Sequence, residues 1–104
     1  MTTTLISDLK SAKGTVLPAG STVEVEFTAN RSSIVWFRLG EQRVGTSIVR
    51  AHRYSRAFKP APSINTLERW NESGTCKTAL GHTVEPDGVD ASGCPSWLLV
   101  MGMI

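Results

Sequence analysis

The sequence predicts a mainly β protein: a small barrel with a short helix and a C-terminal hairpin docked against it. Three observations carry this. The 104 residues are 40% hydrophobic and 19% charged. A chain of that length and content buries roughly 65% of its unfolded surface, enough for one core without a metal or disulfide. Ser and Thr together number 22, a composition that suits strands and turns. Short β-branched runs in the first half are separated by Pro, Gly and Asn at the spacing of small barrels. The expectation is one domain over 1–104, barrel-like over about 1–58, with helix, hairpin and apolar end over about 63–104.

Each element has a local reason. Leu5–Leu9 is a candidate leading strand. Pro18-Ala-Gly20 is a turn, because Pro presets φ and Gly accepts an unusual one. Thr22–Phe27 alternates, with Val23, Val25 and Phe27 on one face and Glu24 and Glu26 on the other. Ile34–Leu39 is β-branched and aromatic on both faces, the pattern of a central strand. Arg43–Arg50 supplies one or two further strands, with Gly45 as a bulge. Pro60 and Pro62 mark a junction. A helix then runs over about Thr66–Ser73, with Asn65 as N-cap, Glu68 completing a capping box and Gly74 ending it. Ile64, Leu67 and Trp70 share the face that docks, since eight residues do not hold a helix alone. Lys77–Val84 is a hairpin around Leu80-Gly81, and turns follow at Pro86–Gly88 and Asp90–Gly93. Ser96 caps a short final helix. The expected core contains Val23, Val25, Phe27, Ile34, Trp36, Val44, Leu67, Trp70, Leu98 and Leu99.

Leu17-Pro-Ala-Gly-Ser-Thr-Val-Glu-Val25, followed by two more strands, resembles a Src-homology-3-like barrel over about residues 12–58. That resemblance implies a fold that hosts many functions. Asn65–Gly74 with Leu80-Gly81 is similar to the helix-plus-wing portion of excisionase-like and mercury-resistance-type DNA binders. The preceding helix of that motif is missing, and Glu68 and Glu72 would face phosphate, so a docking helix is the favoured reading. Thr66-Leu-Glu-Arg-Trp70, Val84-Glu-Pro-Asp-Gly88 and Pro95-Ser-Trp-Leu-Leu99 together look like a signature of small bacteriophage and prophage proteins. This implies an origin as a phage accessory protein and carries no functional residue with it.

Charge is distributed unevenly behind a net +2. Residues 1–30 set Lys10 and Lys13 against Asp8, Glu24 and Glu26. Residues 31–59 set Arg31, Arg38, Arg43, Arg50, Arg53, Arg56 and Lys59 against Glu41 alone, a local +6. Residues 60–104 are net acidic. Arginine presents a planar donor fork that suits phosphate and carboxylate. One reading is an anion-binding face of Arg31, Arg43, Arg50, Arg53 and Arg56, with Arg38 less committed. The other is internal pairing with the acidic C-terminal half.

Catalytic and metal chemistry are not expected. Cys76, His82, Cys94 and His52 match no zinc spacing. A Cys76–His82 nucleophile pair is outweighed by ordinary turn and strand roles. Asp87, Asp90 and Ser92 lack the terminal carboxylate of a calcium loop. No phosphate-cradling glycine loop is present, and no cofactor is implied. The longest apolar run, Trp97–Met101, is far short of the ~20 residues that cross a bilayer. With no basic-then-apolar leader, the expected location is the host-cell cytoplasm, with reduced thiols.

The expected function is a non-enzymatic phage or mobile-element binding protein. Its partner is anionic: nucleic acid, nucleotide or an acidic host-protein surface. The rivals are a counter-defence inhibitor of a host immune complex and a virion or assembly component. Seven of the last eight residues are apolar, which implies burial in the core or, alternatively, a homodimer interface.

Overall fold

The structure, a computed structural model, describes residues 1–28 and 31–104, with only the backbone at Arg31 and Ser32. In chain order the strands are β1 (Thr2–Thr4), β2 (Leu9–Lys10), β3 (Val16–Leu17), β4 (Thr22–Thr28), β5 (Arg31–Leu39), β6 (Gln42–Ser47), β7 (Cys76–Lys77) and β8 (Thr83–Val84). A 3₁₀ helix occupies Ile48–Arg53, α1 runs Ile64–Ser73, and α2 is the single turn Trp97–Val100. The protein is mainly β, as expected.

The main sheet is antiparallel in the order β1-β4-β5-β6, and β2–β3 and β7–β8 are separate two-stranded ribbons. No pairing joins the outer strands β1 and β6 among the described residues, so the sheet is open and does not form the expected closed barrel. The chain leaves β6 through the 3₁₀ helix and reaches the other edge. There the Ile6 N–H donates to the Tyr54 carbonyl at 2.9 Å, and the Thr3 and Ser55 hydroxyls share a 2.6 Å hydrogen bond. The leading strand is β1, not Leu5–Leu9. Leu5 instead extends the β1–β4 pairing, through its N–H to the Ser21 carbonyl and its own carbonyl to the Gly20 N–H.

Cross-strand register selects the core face. Val25 pairs with Phe37, Phe37 with Val44, and Phe27 with Val35. The period of two then puts Val23, Val25, Val35, Phe37 and Val44 inside, each under 9% exposed. Ile34 and Trp36, expected in the core, lie half-buried on the opposite face. Phe58 closes the inner face, edge-on to Phe37 at 5.9 Å and tilted to Phe27 at 6.2 Å. Leu9, Leu17, Ile48, Ala51, Leu67, Cys76, Cys94, Trp97 and Leu98 complete one continuous cluster.

Three local expectations change. Gly45 is no bulge; it pairs in register with Trp36, and the irregularity falls between Phe27 and Thr28. The second half of Arg43–Arg50 is not a strand. Ser47 caps a 3₁₀ helix there, its hydroxyl accepting from the Val49 N–H at 3.2 Å, and Ile48 and Ala51, three apart, are buried together. α1 starts two residues early. Ser63 is its N-cap and accepts from the Thr66 N–H at 3.3 Å, which leaves the Asn65–Glu68 box out of register. Leu67 is buried and Trp70 half-buried, but Ile64 is 57% exposed.

Other elements form as read. Gly74 ends α1 at φ 76°, with its N–H on the Trp70 carbonyl. The β7–β8 hairpin turns at Gly81, φ 88°. The Ser96 hydroxyl caps α2 at the Leu99 N–H, 3.2 Å, and donates to the Pro86 carbonyl. Of the apolar end, Trp97, Leu98 and Val100 are core, Leu99 and Met103 half-buried, and Met101 and Ile104 exposed. Among the described residues no helix is long and apolar enough to cross a membrane.

Candidate anion-binding groove

The β2–β3 ribbon is a short hairpin anchored by its apolar side. Leu9 and Leu17 pair across it and are both buried, so the neighbouring pair, Lys10 and Val16, points to solvent. Its loop is held by three hydrogen bonds. The Ser11 N–H donates to the Thr15 carbonyl at 2.8 Å, the Thr15 N–H to the Ser11 hydroxyl at 3.0 Å, and the Gly14 N–H to the Ser11 carbonyl at 3.1 Å. Gly14 takes φ 92°, a conformation open to glycine at little cost. Lys13 therefore sits on an ordered turn.

Across from this turn lies the outer face of β5 and β6. Trp36 stands directly opposite Gly45, and its indole occupies the space a side chain would take there. A Cβ on Gly45 would come within 2.9 Å of the Trp36 Cζ3. The Arg43 guanidinium lies over the same ring, 4.0 Å from its centroid. Such a cation–π contact is worth about 0.5–1 kcal/mol at an exposed site.

Between hairpin and sheet is an open groove of about 450 Å³. Lys10 and Lys13 line one side, and Ile34, Trp36, Arg43 and Gly45 the other. Among the described lining residues there are three cations and no acid. Arg38, the cross-strand neighbour of Arg43, is tied to Glu26 at 3.6 Å. Both partners are exposed, so that pair contributes little to stability.

The structure divides the arginines expected to bind an anion. Arg43 lines the groove. Arg50 and Arg53 are exposed on the 3₁₀ helix, where a spacing of three puts them on one ridge. Arg56 is exposed in the turn that follows. The Arg31 side chain lies outside the described residues. Among the described residues, ion pairs join the Met1 amine to Glu24, Arg38 to Glu26 and His82 to Asp90. Among these pairs none connects Arg43, Arg50, Arg53 or Arg56 to the acidic C-terminal portion.

Lys10, Lys13 and Trp36 were not among the expected site residues. The lysines belong to a net-acidic stretch of sequence, and Trp36 reads as core. The available signal was the apolar character of both faces of β5, which leaves one aromatic face to be covered by something else.

A second polar cluster, around Asp90, ties the C-terminal turns together. Asp90 accepts from the Ser92 and Cys94 N–H groups at 2.8 and 3.0 Å through Oδ1. Through Oδ2 it accepts from the Thr78 hydroxyl at 2.9 Å and lies 3.0 Å from the His82 Nδ1. Four protein donors thus surround a carboxylate that is 3% exposed. Burial, more than the nearby Asp90 charge, pushes the Cys94 thiol up to about 11, so it stays protonated at neutral pH. Among the described residues no three His, Cys, Asp or Glu side chains are gathered to hold a metal ion.

No family model, no curated protein and no solved structure matches this chain.

Proposed function

We propose that this protein is a binding module that takes an anionic partner into the groove between the β2–β3 hairpin and the outer face of β5 and β6. One observation carries the reading. Lys10, Lys13 and Arg43, from two elements about 30 positions apart in sequence, line a single groove with no acid among its described residues. Cations placed together in a concavity raise the local concentration of an anion and hold it by short-range pairing. Arg50, Arg53 and Arg56 follow β6 in the chain and are exposed, with no ion pair to them among the described residues.

The test is calorimetric titration with inorganic polyphosphate at rising salt. Binding that weakens as salt rises, and falls in the Lys10→Gln/Lys13→Gln double variant, supports the reading. No binding at low salt, or binding unchanged in that variant, sinks it.

A further inference from the structure

We infer that the anion is single-stranded nucleic acid, with a base held against the Arg43–Trp36 pair and phosphates met by Lys10 and Lys13. This rests on the anion-binding reading above and specifies its ligand.

Two features choose this partner over other anions. The first is the apolar part of the groove. Carboxylates on an acidic protein are satisfied by cations alone and give Ile34 and Trp36 nothing to contact. A nucleotide carries a flat ring and a charge together. Single strands are bound by this combination of aromatic or guanidinium planes and a cationic track. The Arg43 guanidinium, 4.0 Å from the centroid of the Trp36 ring, supplies such a plane.

The second is shape. Proteins that read a duplex insert a projecting helix or ribbon into its groove. Here the cations line a concavity of about 450 Å³, within the range of small-ligand sites, roughly 300–1,000 Å³. A splayed base enters such a space and a stacked duplex does not. Among the described residues the one helix longer than two turns, α1, exposes Glu68 and Glu72.

The experiment is fluorescence anisotropy on the full chain across a salt series. The probes are labelled oligo-dT of four and twelve nucleotides, a twelve-base-pair duplex, and a polyglutamate peptide of matched charge. The expected order is single strand above duplex and peptide. The two phosphate contacts at Lys10 and Lys13 give a log–log salt slope of about −1.4, and Lys10→Gln/Lys13→Gln brings it close to zero. Arg43→Lys keeps the charge and loses the plane. It is expected to weaken the single strand about fivefold and leave both the polyglutamate affinity and the salt slope unchanged. Because Trp36→Leu disturbs packing, Arg43→Lys is the deciding variant, with its melting temperature as the control for folding.

Equal binding of single strand and polyglutamate, with Arg43→Lys neutral on both, overturns this inference but leaves the anion-binding reading standing. Tighter binding of the duplex also overturns it. Failure of every probe at low salt overturns both.

Discussion

Asp90 is the residue whose removal should damage the C-terminal half most. Asp90→Ala takes away an acceptor that four donors share. The donors differ in what they lose. The Ser92 N–H and the His82 ring are exposed and turn to water at little cost. The Cys94 N–H and the Thr78 hydroxyl belong to buried residues, 0% and 1% exposed; the N–H loses its acceptor, and the hydroxyl, which still accepts from the His82 N–H at 3.3 Å, loses the acceptor for its own proton. Each stranded buried group costs about 1–3 kcal/mol, so Asp90→Ala should cost about 4 kcal/mol. That is a large fraction of a typical total of 5–15 kcal/mol. Asp90→Asn keeps the oxygen facing the Ser92 and Cys94 N–H groups and presents an amide to a hydroxyl that can rotate to accept. Its expected cost is about 1–2 kcal/mol. His82→Ala, which breaks only the exposed side of the network, should cost under about 1 kcal/mol. Urea denaturation at neutral pH, followed by tryptophan emission, measures all three. An Asp90→Ala loss below about 1 kcal/mol, or an asparagine as damaging as alanine, refutes the idea that this carboxylate organises the turns.

Two further outcomes follow from packing and burial. Gly45→Ala places a methyl 2.9–3.1 Å from three Trp36 ring carbons, inside the ordinary contact distance of about 3.5–4.0 Å. The indole must move. Overpacking of about 1–3 kcal/mol, offset by about 0.4–1 from the stiffer unfolded chain, leaves a net loss near 1 kcal/mol. The change should also shift the Trp36 emission; unchanged stability with an unchanged spectrum would show that the ring is not seated on Gly45. The Cys94 thiol, raised from 9.0 to about 11, holds its proton more tightly in the folded state. Its contribution is therefore complete below pH 9 and lost as pH rises toward 11, by roughly 3 kcal/mol. Denaturation curves of wild type and Cys94→Ala should converge across that window; parallel pH profiles would contradict the assignment.

Much of the local structure was legible because its causes are local. The alternation of Val23, Val25 and Phe27 against Glu24 and Glu26 needs only the pleat of one strand. Gly74 and Gly81 stop a helix and turn a hairpin because both take positive φ. Ser96 caps a helix because its hydroxyl reaches an N–H three residues ahead. The misplaced cap at α1 shows the limit of such reasoning. Ser63 and Asn65 are both competent caps, and the choice between them was not settled by side-chain chemistry. Similarly, Ile48 and Val49 have the composition of a strand. Burial of Ile48 together with Ala51, at the spacing of a 3₁₀ turn, overrides that propensity.

By itself, the sequence determined that this chain is mainly β, where its turns fall, and that cations crowd its middle third. The tertiary structure decided which side of β5 faces inward, since both sides are apolar and only pairing with β4 and β6 distinguishes Val35 and Phe37 from Ile34 and Trp36. It also assembled the groove. Lys13 and Arg43 meet across it because the buried Leu9 and Leu17 seat a hairpin against the sheet. Backbone sterics and capping act over a few residues. Contacts between distant segments depend on which apolar faces find one another, and that is a property of the folded whole.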